Sequence, residues 1–259
     1  MNVHFYKYQG TGNDFIMIDN RDLSFPKENV NLINSLCDRR FGVGADGLIL
    51  LEPSKKEDFT MVYFNADGNE GSMCGNGGRC LVAFAKQLNI IDENTTFDAI
   101  DGLHHATIKN GIVSLKMIDV NTIQVSEEYS FLNTGSPHHI SFCDNVSNIN
   151  VKELGAQIRY GAPYFKEGTN VNFAEKTNSN SFKVRTYERG VEDETLACGT
   201  GVTAVAIAAH KTNITTNNQI KLEVLGGNLE VSFDVNENTY TNVYLTGPAK
   251  FVFEAEINI

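Results

Sequence analysis

Two cysteines of this chain lie in matching surroundings. Cys74 sits in Glu70-Gly-Ser-Met-Cys-Gly-Asn-Gly77 and Cys198 in Glu194-Thr-Leu-Ala-Cys-Gly-Thr-Gly201. Each precedes a Gly-x-Gly and then an apolar, alanine-rich run, Leu81 to Leu88 and Val202 to Ala209, of helix-forming composition. A cysteine at a helix N-terminus meets unpaired backbone N–H groups and the positive end of the dipole, which stabilise a thiolate. The same N–H groups, left accessible by glycine, cradle a carboxylate. Gly75-Asn76 and Gly199-Thr200 therefore read as a carboxylate clamp beside two activated thiols. One reaction class wants that set. Inverting a carbon next to a carboxylate needs a base on one face and an acid on the other. A thiolate and a thiol do both jobs and exchange roles in reverse, while the helix N-termini stabilise the enolate-like charge that develops. Cys37, Cys80 and Cys143 have no such context and are assigned to packing.

The elements that must position these thiols form a repeat. Thr11-Gly12 recurs as Thr134-Gly135, and the alternating stretch Phe59–Asn65 as Phe182–Glu188, both at an offset of 123. The two cysteine segments follow at 124. Both alternating stretches, rich in β-branched and aromatic residues, read as strands. The pattern predicts an α+β protein of two homologous domains related by a pseudo-twofold, with the active site in the cleft between them. The expected halves are residues 1–120, joined by a C-terminal strand from 247–259, and residues 121–246.

Whole-chain properties narrow the class. In 259 residues, 21 basic against 32 acidic side chains give a net charge of −11. That is a poor match to nucleic acid or an anionic membrane, because phosphate binding needs clustered Lys and Arg. No apolar run approaches the roughly 20 residues that span a bilayer. The N-terminus lacks the basic-then-apolar plan of a signal peptide, so the cytoplasm is expected. Five cysteines, with no C-x-x-C pair, suit neither a disulfide framework nor a structural zinc site.

Further motifs make a resemblance specific. Gly12-Asn13-Asp14-Phe15, Asn65-Ala66-Asp67-Gly68, Met73-Cys74-Gly75-Asn76-Gly77, Gly135-Ser136-Pro137-His138, Glu188-Arg189-Gly190 and Ala197-Cys198-Gly199-Thr200-Gly201 resemble the diaminopimelate epimerase signature, in order and over nearly the whole chain. The closing Leu245-Thr246-Gly247-Pro248-Ala249 is similar too. The resemblance implies interconversion of LL- and meso-diaminopimelate for lysine and peptidoglycan synthesis, without pyridoxal phosphate or metal, by a homodimer. It implies that Cys74 and Cys198 are the acid–base pair and that His138 and Glu188 tune them. Asn13, Asn65, Ser136, Asn172, Glu188 and Arg189 match substrate-contacting positions, and Gly75, Asn76, Gly199 and Thr200 the carboxylate cradle. Two departures stand out. Ser136 replaces the family's usual asparagine, and Gly47 stands where many members carry glutamine.

Rival readings each carry a signature. A proline or hydroxyproline racemase of the same fold needs an apolar slot, whereas Asn65, Asn172, Glu188 and Arg189 are polar. An isomerase of the phenazine-biosynthesis type would have lost one cysteine. A binding module would hold an amino acid without exchanging its α-proton. A redox protein would couple Cys74 and Cys198 in a disulfide.

Overall fold

Short alternating strands and two alanine-rich runs organise the computed structural model, which describes residues 2–259. The chain divides into two units, Met1–Leu115 with Gly247–Ile259, and Lys116–Thr246. The first contains β1 (Asn2–Gly10), β2 (Asn13–Asp19), α1 (Val30–Cys37), β3 (Gly47–Glu52), β4 (Phe59–Asn65), α2 (Gly75–Gln87), β5 (Asn94–Ala99), β6 (Gly102–Lys109) and β7 (Ile112–Lys116). The second contains β8 (Ile123–Val125), β9 (Ser130–Asn133), β10 (Pro137–Phe142), α3 (Val151–Tyr160), β11 (Asn170–Asn178), β12 (Ser181–Glu188), β13 (Asp193–Thr195), α4 (Gly199–Lys211), β14 (Gln219–Val224), β15 (Gly227–Asn236) and β16 (Thr239–Pro248). The last strand, β17 (Lys250–Asn258), returns to pair antiparallel with β1.

The repeat is visible in the strand pairings. From β1 to β7 successive neighbours run antiparallel, parallel, antiparallel, parallel, antiparallel, antiparallel. The series β9, β10, β11, β12, β14, β15, β16 gives the same sequence of senses. Each parallel pair needs a crossover, which a helix supplies. Thus α1 and α3 occupy equivalent places, as do α2 and α4.

Burial explains the composition of these elements. Every residue of β3 is buried, because helices cover both of its faces. Leu48 and Leu50 pack with Ile33 and Leu36 of α1, while Ile49 lies against α2. In the second unit, Val171 and Phe173 of β11 pack with Val151 of α3 and Tyr187. The alternate residues Asn170, Asn172 and Ala174 take the other face. Helices α2 and α4 are buried almost all round, which favours Gly and Ala over a one-sided apolar stripe. No helix among the described residues is long and apolar enough to cross a membrane.

Candidate active site

Both cysteines are N-cap residues. Cys74 caps α2 with φ −103° and ψ 122°, and Cys198 caps α4 with φ −118° and ψ 110°. In neither case does the side chain cap the helix, so each sulfur is left to other work at the positive end of its dipole. The Gly-x-Gly segments are themselves the first helical turns. A methyl group on Gly201 would lie 2.4 Å from Asn172 Oδ1 and 3.3 Å from Cys198 Sγ. Glycine there lets α4 close onto the sheet. Gly77 lies similarly against Ile49, at 2.8 Å from Cδ1.

In the first unit, Cys74 Sγ donates to Asn13 Oδ1 at 3.7 Å, and Asn76 Nδ2 donates to the same oxygen at 3.3 Å. The amide of Asn13 is oriented from behind, because its Nδ2 donates to Asp46 Oδ2, an acceptor only. Arg39 bridges Asp46 and Asp14, each at 2.6 Å, and Lys7 pairs with Asp14 at 2.7 Å. Burial pushes the Asp14 carboxyl up, but Arg39 and Lys7 outweigh it and hold the group below the ordinary range. Asn65 ends β4 and is exposed.

Arg79 was not among the residues expected at the site. It is fully buried within α2, and its guanidinium holds Thr11 Oγ1 at 2.7 Å, Asn76 Oδ1 at 3.0 Å and the Gly75 carbonyl at 3.3 Å. Burial lowers its pKa, while electrostatic coupling to Cys80 and then Cys74 raises it. By reciprocity its charge favours a thiolate at Cys74. An arginine inside an otherwise apolar helical run was the available signal.

In the second unit a chain of hydrogen bonds leads to Cys198. Thr186 Oγ1 donates to Asn172 Oδ1 at 3.0 Å, and Asn172 Nδ2 donates to the His139 carbonyl at 3.0 Å. These two contacts fix the amide, so its Nδ2 also faces His138 Nδ1, 3.1 Å away, as donor. The imidazole is fully buried, and its pKa is lowered to about 3 by burial and then by the Arg189 charge. A neutral ring that accepts at Nδ1 carries its proton on Nε2. Nε2 therefore donates to Thr200 Oγ1 at 2.9 Å, and the Thr200 hydroxyl has its own proton for Cys198 Sγ at 3.5 Å.

Asn172 thus takes a different place from the substrate contact expected of it. Its side chain is wholly buried and locked behind His138, which it orients. Asn170, two residues earlier on the same face, is buried too, but it holds the Ser136 loop instead. It donates to Ser136 Oγ at 3.2 Å and to the Pro137 carbonyl at 3.1 Å, and accepts from the Arg189 backbone N–H at 2.8 Å. Ser136, the first departure, therefore replaces an amide with a hydroxyl that is already engaged. Glu188 ends β12 half-buried, and Arg189 is exposed, with Nη1 donating to the Glu167 carbonyl at 3.0 Å. The remaining cysteines are pushed up by burial, Cys37 to about 11 and Cys80 to about 12. Among the described residues, no group of three or more His, Cys, Asp or Glu side chains is arranged to hold a metal ion.

Known proteins match this chain over nearly its whole length. A family model described as diaminopimelate epimerase matches residues 5–122 and 130–252. A diaminopimelate epimerase from Flavobacterium psychrophilum is 62% identical over 253 residues, covering 97% of this chain and 99% of the relative. One from Chlorobaculum tepidum is 40% identical over 259 residues, covering 96% and 99%. Among solved structures, a Bacillus anthracis phenazine biosynthesis protein of the PhzF family superposes with a TM-score of 0.77 at 14% identity, over the full length of both chains. A hydroxyproline epimerase from Agrobacterium vitis gives 0.70 at 12% identity, covering 99% of this chain and 92% of that one. At such identities the structural matches speak for the fold alone.

Proposed function

Because the chain belongs to the diaminopimelate epimerase family, we propose that it interconverts LL- and meso-2,6-diaminopimelate in the supply of lysine and peptidoglycan precursors. The observation that carries the chemistry is the pair of N-cap cysteines, one on each of two equivalent buried helices. The α-carboxylate of the reacting centre sits on N–H groups of Gly75-Asn76 and Gly199-Thr200. Cys198 and Cys74 act on opposite faces of the α-carbon. One removes the proton as thiolate while the other returns one as thiol, so configuration inverts and the two exchange states. As negative charge moves onto the carboxylate, the helix N-termini stabilise it. Removing one well-placed donor of this kind costs roughly 10²–10³ in rate.

The two half-sites support this division of labour. Cys74 faces an acceptor, Asn13 Oδ1, which favours a thiol, while Cys198 faces a hydroxyl with a proton to give, which favours a thiolate. Arg79 makes the Cys74 thiolate accessible for the reverse reaction. His138 acts through Thr200, and Glu188 lies at the end of β12 to tune the same half. Asn65, Ser136, Glu188 and Arg189 supply polar contacts for the rest of a substrate charged at both ends, a poor match to a proline ring. The reading includes a cytoplasmic homodimer that needs no cofactor.

The test is incubation of purified, reduced protein with LL-diaminopimelate and, separately, L-proline, with the stereoisomers resolved by chiral chromatography. Formation of meso-diaminopimelate without D-proline is expected. D-Proline alone would transfer the protein to the racemase branch.

A further inference from the structure

We propose that Arg79 is a positioning residue for proton transfer at Cys74. Its guanidinium clamps the β1–β2 turn, which leads into Asn13, onto the start of α2, which carries Cys74 and Asn76. The inference rests on the epimerase reading above. Helical side chains lean towards the N-terminus of their helix, so an arginine one turn beyond the cap folds back over the residues before it. Arg79 accordingly donates to the Gly75 carbonyl at 3.3 Å and to Asn76 Oδ1 at 3.0 Å, and its Nη2 reaches out of the helix to Thr11 Oγ1 at 2.7 Å. A guanidinium only donates, so the atom of Asn76 that faces it is the oxygen. That turns Nδ2 towards Asn13 Oδ1, the same oxygen to which the Cys74 thiol donates.

The turn itself carries the mark of the clamp. Thr11 and Gly12 link β1 to β2, with Gly10 paired to Asn13 across them, and their φ angles are positive, 56° and 87°. Two-residue hairpin turns of that kind favour Asn and Gly. A β-branched residue in the left-handed region is an outlier that persists only where its surroundings hold it. Here the buried Thr11 hydroxyl is held by Arg79. The end of β1 is also pressed onto α2. A methyl group on Gly10 would lie 3.1 Å from the Asn76 carbonyl oxygen, 3.1 Å from Cys80 Sγ and 3.4 Å from Arg79 Nη2. In the second unit the matching Thr134 reaches its helix directly, donating from Oγ1 to the Thr200 carbonyl at 2.8 Å. Thr203, which follows Arg79 at the same offset of 124 as the cysteines, donates to the Gly199 carbonyl at 2.9 Å. Both units thus tie the turn to the first turn of the helix, but the first does so through a cation. Lysine would keep that charge without the planar fork that grips Asn76 and Thr11 together.

The experiment compares wild type with Arg79→Lys, Thr11→Val and Thr11→Ser. It measures epimerisation kinetics, thermal unfolding and the rate of iodoacetamide modification at Cys74, read by peptide mass mapping. Small misplacements of a reacting group cost up to about 10²-fold, so kcat should fall about 10–100-fold in Arg79→Lys and in Thr11→Val. KM should change by less than about threefold, because the backbone cradle is left in place. Thr11→Ser keeps the hydroxyl and should restore kcat. A kcat like that of wild type in both Arg79→Lys and Thr11→Val would overturn the assignment, as would an equal loss in Thr11→Ser or a loss confined to KM. The two Thr11 variants leave Arg79 in place and decide the question should Arg79→Lys fail to fold. Wild type without epimerase activity would instead sink the epimerase reading, and the thiol would still report on the clamp. Cys74 should then be modified faster in Thr11→Val, where its hydrogen bond to Asn13 is loosened, and at the wild-type rate in Thr11→Ser; equal rates throughout would overturn the clamp.

Discussion

At the scale of single residues, the site depends on which way each proton points. Thr200 accepts from His138 and faces Cys198, so Thr200→Val breaks the chain at its last link. That substitution should lower kcat about 10–100-fold and move the acid limb of kcat/KM to higher pH, because the thiolate loses its donor. A profile identical to wild type would contradict the relay. The five thiols should also differ in reactivity. Burial pushes Cys37 and Cys80 well above the ordinary thiol range, whereas Cys74 and Cys198 sit at helix N-termini. Brief treatment with iodoacetamide at neutral pH, read by peptide mass mapping, should modify Cys74 or Cys198 first. Modification confined to Cys37, Cys80 or Cys143 would argue against activated thiols. The two cysteines were legible in the sequence because their spacing repeats, but the residues behind them were not. Asn172 and Asn170 both face the interior of the unit, and only the hydrogen bonds tell which one orients His138 and which one stands beside Ser136. Arg79 escaped notice because helical arginines usually face solvent.

At the scale of elements, the close approach of α2 and α4 to their sheets sets the positions of the sulfurs. Gly201→Ala forces a methyl group onto Asn172 Oδ1, which is locked by its own hydrogen bonds. Overpacking of this kind costs about 1–3 kcal/mol, so Tm should fall by several degrees and activity should drop with it. Gly77→Ala meets the far end of the flexible Ile49 side chain and should be milder in both respects. Equal effects, measured by calorimetry and kinetics, would contradict the packing argument. The elements themselves were readable where alternation or alanine-rich composition was strong, as in β4, β12, α2 and α4. The first helical turn was harder to place, since Gly-x-Gly is equally at home in a turn and only the buried packing surface makes it helical.

At the scale of the molecule, the repeat was legible from matching offsets, and the equal order of strand senses in the two units expresses it in structure. Stability should carry the mark of the second unit's buried imidazoles. Burial lowers His138 to about 3 and His139 to about 4, against an unfolded value near 6.5. Below pH 6.5 the unfolded chain therefore binds protons that the native protein does not, and stability falls as pH drops towards those native values. Each histidine contributes a loss of about 2 kcal/mol at pH 5, which urea unfolding at pH 7.5, 6 and 5 should resolve. A flat profile would mean that the imidazoles are not held neutral. On the proposed two-thiol mechanism, each unit supplies one of the two thiols. The most direct test is proton NMR in heavy water, following the α-proton of LL-diaminopimelate with wild type, Cys74→Ala and Cys198→Ala. Wild type should replace the α-proton with deuterium as the meso form appears, and either variant should abolish epimerisation while keeping its fold by circular dichroism. Full epimerisation by either single-cysteine variant would contradict the two-thiol mechanism.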